Sequence, residues 1–96
     1  MFVGKVIGTV VATRKNEKLT GAKFLIVAPL DAKNKPMLEK YVVAKDVVGA
    51  GAAETVLVVS GSSARMATGS TDTPIDAAII AIIDEIKYDD DVLENE

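Results

Sequence analysis

The chain has 96 residues, a formal net charge of −3, and no cysteine or histidine. These facts exclude disulfides, thiolate metal sites and histidine chemistry, and the acidic balance argues against a protein that binds a phosphate backbone. Apolar residues make up 49% of the chain, which is more apolar surface than one small domain hides, so we expect part of it to be buried between subunits.

Four strands are predicted in the first two thirds of the chain. The first carries Gly4 and Gly8 on a small or apolar face. Glycine inside a strand indicates a bend or the close approach of another backbone, and both occur when a short sheet curls into a barrel. The second strand is apolar on both faces, which implies that one face meets another subunit. The four strands cover residues 2–13, 23–30, 38–45 and 55–59, with a charged connection at 14–18 and a polar loop at 31–36.

The last third of the chain predicts short helices and a final strand. Small residues followed by Arg65 indicate the capped start of a short helix. A second helix start is indicated further on, where Thr73 is suited to cap a helix and Pro74 to occupy its first position. Residues 77–86 fit both helical and strand patterns, but their five isoleucines favour a short helical turn followed by a buried strand.

These elements predict a mainly β fold, a small closed barrel of about five strands, similar to an OB-fold, with one or two short helices. We expect one barrel domain over residues 1–87 and an acidic, mobile tail over 88–96. The chain opens on a strand pattern rather than a cleavable signal, and its longest apolar run, Ala77 to Ile83, is far shorter than the roughly 20 residues of a membrane span. We therefore expect a cytosolic protein with no membrane partner.

One glycine-rich turn imitates a nucleotide-binding motif. Gly49 and Gly51 half-match a dinucleotide fingerprint, but the third glycine is missing and a strand follows where a helix is needed. The preferred interpretation is a tight turn between two strands, which glycine permits.

A second small-residue turn imitates a serine nucleophile. Its residues are Gly61, Ser62, Ser63 and Ala64. A serine nucleophile needs a base, and neither a histidine nor a neighbouring lysine is present to act as one. We expect a structural or interface role for this turn and no catalytic residue in the chain.

Carboxylates late in the chain predict an interface ion pair rather than a metal site. The acidic run at 89–91 matches no calcium-loop spacing. Asp76 and Asp84 lie within apolar sequence, which is unusual for a carboxylate and calls for a partner. Arg65 is the natural candidate, because its planar guanidinium suits bidentate pairing at a subunit contact. No metal and no other cofactor is expected.

An OB-like barrel also raises the alternative of a small binding module for an oligonucleotide or a small anionic ligand. Nucleic acid binding in that mode needs aromatic side chains stacked along a basic groove. The four aromatic residues are spread along the chain, and the one basic cluster consists of Arg14, Lys15 and Lys18. This is the weaker interpretation, and we expect no nucleic acid partner.

Segments along most of the chain carry a family resemblance. They are residues 4–13, 46–54, 61–65, 74–76 and 82–84. In this order and spacing they resemble the signature of the pentameric vertex proteins of bacterial microcompartments, the EutN/CcmL family, with residues 61–65 the most specific. Ala53 and Ala81 stand where glycine is frequent in the family, and as small-for-small changes they leave the resemblance intact.

The resemblance implies a structural protein with no reaction and no cofactor. Members of the family look like compact barrels that join as cyclic homopentamers and occupy the vertices of a polyhedral shell, whose facets are hexameric tiles. The implied partners are therefore copies of the chain itself and hexameric shell proteins. The resemblance also implies turns and subunit contacts at a set of small residues and one arginine, which are Gly49, Gly51, Gly61, Ser62, Ser63, Ala64 and Arg65.

Overall fold

The computed structural model describes residues 1–13, 15–69 and 73–94. Within these ranges five strands close into a barrel in the order β1-β2-β3-β5-β4, which confirms the predicted fold class. The strands are β1 (Phe2–Val10), β2 (Phe24–Pro29), β3 (Val42–Asp46), β4 (Thr55–Ser60) and β5 (Ala77–Ile83). The helical elements are α1 (Ser62–Ala67), α2 (Asp90–Glu94) and two 3₁₀ turns, Glu17–Leu19 and Leu38–Lys40.

Neighbouring strands of the barrel are antiparallel except at one seam. β1 pairs with both β2 and β4, and β4 pairs along its whole length with β5. The barrel closes where β3 meets β5 in parallel, through only two residue pairs, Lys45 with Ala78 and Asp46 with Ile79. The seam is therefore short, and side chains around it contribute to holding the barrel closed.

The two glycines of β1 serve the bend and the close approach that the sequence predicts. A Cβ on Gly4 would lie 2.5 Å from Cγ1 of Val27 and 2.9 Å from the carbonyl oxygen of Ala28, so no other residue fits there. The register between β1 and β2 shifts between Val6 and Gly8, which is the irregularity that curls a small sheet.

The barrel interior is filled by alternating side chains from all five strands. In β2, Leu25 and Val27 are buried, and in β4, Val56 and Val58 are fully buried. The remaining members of this core are Val6, Ala44, Ala50, Ala77 and Ile79. A second, smaller cluster joins α1 to the outside of the barrel through Val59, Ala64 and Ala78.

The first and third predicted strands are each several residues shorter in the structure. The first strand ends at Val10 rather than at residue 13. The third strand begins only at Val42, because residues 38–40 form a 3₁₀ turn in which the N–H of Tyr41 donates to the carbonyl of Leu38. The turn lets the chain re-enter the barrel after the loop at 31–36, whose ends are joined by a bridge between Leu30 and Pro36.

The predicted helical start at 73–76 is wrong, although the strand after it is confirmed. Thr73 and Ile75 are buried, at 8% and 6% exposure. The carbonyl of Asp76 accepts a hydrogen bond from the N–H of Gly61, which keeps the backbone extended. Burial and a long-range backbone bond thus override a local capping signal. The acidic tail contains the exposed helix α2, its residues 95–96 lie outside the described part, and its mobility stays a prediction.

Candidate functional site

The first candidate turn, between β3 and β4, is shaped by a buried carboxylate that sequence reasoning missed. The side chain of Asp46 is 2% exposed, and its Oδ1 accepts hydrogen bonds from the N–H groups of Val48 at 3.0 Å and Gly49 at 3.1 Å. Gly49 has φ +80°, a left-handed conformation that glycine adopts without strain. The predicted tight turn is therefore present, and Asp46 determines its first half.

Lys23 joins this turn to the far end of the β1–β2 connection. Its Nζ lies 3.6 Å from Oδ2 of Asp46 and donates a hydrogen bond of 2.8 Å to the carbonyl of Ala50. Ala50 itself is fully buried in the main core. One ammonium group therefore neutralises the buried carboxylate and also fixes the middle of the turn.

The second half of the turn is fixed by Glu54 and by the edge of β1. Oε1 of Glu54 accepts a hydrogen bond of 2.6 Å from the N–H of Gly51. The backbones of Ala53 and Glu54 exchange hydrogen bonds with Val6, at 2.9 and 3.0 Å. Ala53 stands where the family frequently has glycine, and its φ of +68° is a left-handed conformation that glycine adopts at lower cost.

The second candidate turn follows β4 and begins α1. Gly61 has φ +65° and precedes a helix over Ser62–Ala67, which confirms the predicted short helix. The helix start carries no side-chain capping bond, so that part of the prediction is wrong. Ala64 is fully buried against the barrel, whereas Ser62 and Ser63 face solvent.

Arg65 is partly buried and anchors the segment that leads into β5. Its Nη1 donates a hydrogen bond of 3.4 Å to the carbonyl of Ile75. Asp76 and Asp84 are both exposed, and within the described ranges Arg65 forms no ion pair with either carboxylate. The expected pairing therefore does not occur inside one subunit, and its occurrence between subunits stays a prediction.

The two turns lie at opposite ends of β4 rather than in one site. Thr55 at the start of β4 pairs with Ile83, and Ser60 at its end pairs with Ala77. The Gly49–Gly51 turn therefore shares one barrel end with Asp84, while residues 61–65 share the other end with Asp76. The six-residue strand between them is about 20 Å long, which places Asp84 beyond the reach of Arg65 in the same subunit.

The polar loop predicted at 31–36, between β2 and β3, is present, and Asp31 orders it through hydrogen bonds that the sequence analysis did not identify. Oδ1 of Asp31 accepts hydrogen bonds from the N–H groups of Lys33 and Lys35, at 2.8 and 3.0 Å. These two hydrogen bonds hold the pKa of the Asp31 carboxyl below its ordinary value, and the bond from Lys35 has the larger effect. An aspartate two residues before such a turn is an Asx pattern, so the sequence did contain the signal.

Neither a cluster of metal ligands nor a membrane-spanning helix is found among the described residues. Across residues 1–13, 15–69 and 73–94, no group of three or more carboxylates is placed to hold a metal ion. In the same ranges, no helix is long and apolar enough to cross a bilayer. What the surface does offer is exposed apolar side chains. They include Ile7, Val11, Leu38, Tyr41, Val43, Val47, Val48, Met66 and Ile82.

Comparison with known proteins gives the context for this surface. The family described as "Ethanolamine utilisation protein EutN/carboxysome" matches residues 1–84. The carboxysome shell vertex protein CcmL of Synechocystis sp. is 54% identical over 86 residues, which cover 90% of this chain and 85% of that protein.

Two solved structures share the fold over nearly the whole chain. CcmL of Gloeobacter violaceus is 44% identical, with a TM-score of 0.86 over 93% of this chain and 91% of that one. The pentameric microcompartment shell protein GrpN of Rhodospirillum rubrum is 48% identical, with a TM-score of 0.82 over 92% of this chain and 99% of that one. By family match, sequence identity and shared fold, the chain belongs to the EutN/CcmL family.

Proposed function

We propose that this protein is a structural shell component, which forms cyclic pentamers that cap the vertices of a polyhedral bacterial microcompartment in the cytoplasm. The observation that carries the proposal is the shared fold with the pentameric shell protein GrpN, at a TM-score of 0.82 over 92% of the chain. The geometry of shells gives the physical reason: a flat sheet of hexameric tiles closes into a polyhedron only when five-fold units are inserted. The hexameric tiles are therefore the second proposed partner.

The exposed apolar side chains support an assembled state. Tyr41 and Leu38 are 57% and 58% exposed in the single subunit, and Val43 is 42% exposed. Apolar side chains in such number on a small barrel indicate surfaces that are covered in the working form. The chemistry of the Gly49–Gly51 turn supports the same proposal, because the carboxylates of Asp46 and Glu54 bind backbone N–H groups of the turn itself.

Within the ring, we propose subunit contacts at both ends of β4. They comprise Gly49, Gly51 and Asp84 at one end, and Gly61, Ser62, Ser63, Ala64, Arg65 and Asp76 at the other. The support is that Gly49 and Gly61 adopt left-handed conformations and that the neighbouring Asp76 and Asp84 are exposed carboxylates. An exposed carboxylate beside a partly buried arginine is available to a neighbouring subunit.

The experiment that tests the function has two stages. Native mass spectrometry of the purified protein is expected to give five subunits, and a stable monomer at micromolar concentration would contradict the proposal. Co-expression with hexameric shell proteins is then expected to give closed polyhedra. Omission of this chain is expected to leave open sheets or tubes, because five-fold units are missing.

The alternative, an OB-like module that binds an oligonucleotide, shares the closed barrel. Of the aromatic side chains it would need, Phe2 is packed against the core, and Tyr41 and Tyr88 are exposed. Arg14 of the basic cluster lies outside the described residues. Fluorescence anisotropy of a labelled single-stranded oligonucleotide separates the two proposals. Only a binding module is expected to keep the oligonucleotide bound, and its anisotropy high, at physiological salt.

A further inference from the structure

Two different apolar faces lie on opposite sides of the barrel. The first face is the outer surface of β1, β2 and β3. Because Leu25 and Val27 point into the core, their neighbours Phe24 and Ile26 point outward. The strand register places them in two rows across the sheet, Gly8–Ile26–Val43 and Val10–Phe24–Lys45.

The first face is flat where Gly8 has no side chain. A Cβ at that position would lie 3.2 Å from Cδ1 of Ile26, so the isoleucine packs over the glycine. Val43, on the other side of Ile26, is 42% exposed. The result is a continuous apolar surface across three strands, with Lys45 in one row and the exposed Lys40 just before β3.

The second face is the outer surface of β1, β4 and β5. Its rows are Val3–Leu57–Ala81 and Lys5–Thr55–Ile83, and all six residues are partly exposed. α1 covers the other part of the β4–β5 surface, where Ala64 packs on Val59 and Ala78, and leaves this part open. The exposed carboxylates of Asp84 and Glu85 follow directly after β5.

The pairing of these faces follows from the symmetry of a ring. A cyclic assembly uses a heterologous contact, in which one surface of each subunit meets a different surface of the next. The strand order places β2, at the centre of the first face, across the barrel from β4, at the centre of the second. Lys40 and Lys45 border the first face and Asp84 and Glu85 follow the second, which is a complementary arrangement, although Lys5 also lies in one row of the second face.

We infer that the first face of each subunit docks on the second face of the next copy of the same chain. The inference rests on the proposed ring of subunits and names the surfaces that build it. Val43 and Ile26 are then covered by the neighbour's β4–β5 surface around Leu57 and Ala81. Asp84, which lies beyond the reach of Arg65 in its own subunit, then faces lysines of the neighbour.

Cysteine cross-linking tests the inference directly, because the natural chain contains no cysteine. The variants are Val43→Cys, Ala81→Cys and the two combined. Within one subunit these positions lie about five strand residues apart, roughly 17 Å along the barrel. A bismaleimide shorter than that distance therefore links the two positions only between subunits.

The expected pattern distinguishes heterologous from isologous contacts. The combined variant gives a ladder of linked subunits that ends at five, each single variant alone gives no linked dimer, and co-expressed single variants give linked dimers. Linked dimers of Val43→Cys alone would overturn the inference, as would an unlinked combined variant whose native mass still shows five subunits. A native mass of one subunit would instead overturn the proposed function as well.

Charge substitutions give a second test that does not depend on linker reach. Val43→Lys and Leu57→Lys each place an unpaired charge in the contact, and each is expected to raise the subunit concentration at half-dissociation by about 100-fold or more. Val92→Lys is the matched control, because Val92 is 55% exposed in α2 and lies on neither face. Equal behaviour of all three variants, with unchanged far-UV spectra, would overturn the inference.

Discussion

The ammonium group of Lys23 lies 3.6 Å from the buried carboxylate of Asp46, although 22 residues separate the two in the chain. Asp46 is the last residue of β3 and sits at the short parallel seam with β5. Its other oxygen orders the turn that follows, and Lys23 also donates to Ala50 within that turn. The pair therefore connects the β1–β2 connection, the barrel seam and the first glycine turn.

Lys23→Met is expected to lower the free energy of unfolding by about 1–2 kcal/mol, because it removes a charged hydrogen bond and leaves the Asp46 carboxylate without a cation. The effect is limited because the Lys23 side chain is 52% exposed. Urea unfolding at a fixed subunit concentration measures it, since assembly also changes apparent stability. Lys15→Met, at an exposed position, is the control, and an equal effect of both variants would contradict the prediction.

Ala53→Gly is expected to raise the free energy of unfolding by about 0.5–1 kcal/mol. The left-handed conformation at φ +68° costs an alanine about 1–2 kcal/mol, and glycine removes this cost. Part of the gain is offset because glycine makes the unfolded chain more flexible, which favours unfolding. Ala52→Gly is the matched control, because the neighbouring alanine has no positive φ. It is expected to be neutral or destabilising. A destabilised Ala53→Gly protein would mean that other contacts hold this turn.

Ala53 also illustrates which parts of the site were predictable from the sequence. Glycines at 49 and 51 indicated a tight turn, and the turn is there. The backbone conformation of Ala53 depends on its hydrogen bond with Val6 in β1, a contact across the sheet that no local pattern shows. Asp46 and Lys23 were missed for the same reason, since their relation depends on the closed barrel.

The strands were predictable because they are short apolar runs, rich in β-branched residues, that lie between turn residues, as β4 (Thr55–Ser60) lies between the Gly49–Gly51 turn and Gly61. The segment at 73–76 was not, because its capping residues are those of a helix while the fold buries Thr73 and Ile75. There, a long-range contact with Gly61 and Arg65 decides the backbone. The family resemblance, in contrast, was fully readable, because it depends on short segments and their order.

The loop of Asp31 is expected to lose order only in strongly acidic solution. Hydrogen bonds from the N–H groups of Lys35 and Lys33 favour the charged carboxylate, so its pKa is lowered in the folded state. A lowered pKa means that the stabilisation is complete above the ordinary pKa and is lost as the pH falls through the folded value. The amide signals of Lys33 and Lys35 in an NMR titration should therefore move below the ordinary range for aspartate, and a midpoint at or above that range would contradict the loop geometry.

Arg65→Ala is expected to weaken the ring without unfolding the barrel. Among the described residues of its own subunit, the guanidinium makes one long hydrogen bond, 3.4 Å to the carbonyl of Ile75, so little of the barrel depends on it. If it also pairs with a carboxylate of the next subunit in a partly buried contact, its removal costs about 3–5 kcal/mol at each interface. An exposed pair would cost at most about 1 kcal/mol. The larger cost, repeated around a ring, shifts the native mass toward single subunits while the far-UV spectrum stays unchanged.

Two further variants separate the charge of Arg65 from its geometry. Arg65→Lys keeps the charge but loses the planar fork, so it is expected to dissociate less than Arg65→Ala and more than the natural protein. Lys87→Ala removes an exposed cation outside both turns and is expected to leave the ring intact. An Arg65→Ala protein that stays fully pentameric after dilution would show that apolar packing between the barrel faces holds the ring. In that case Val43→Lys should dissociate it where Arg65→Ala does not.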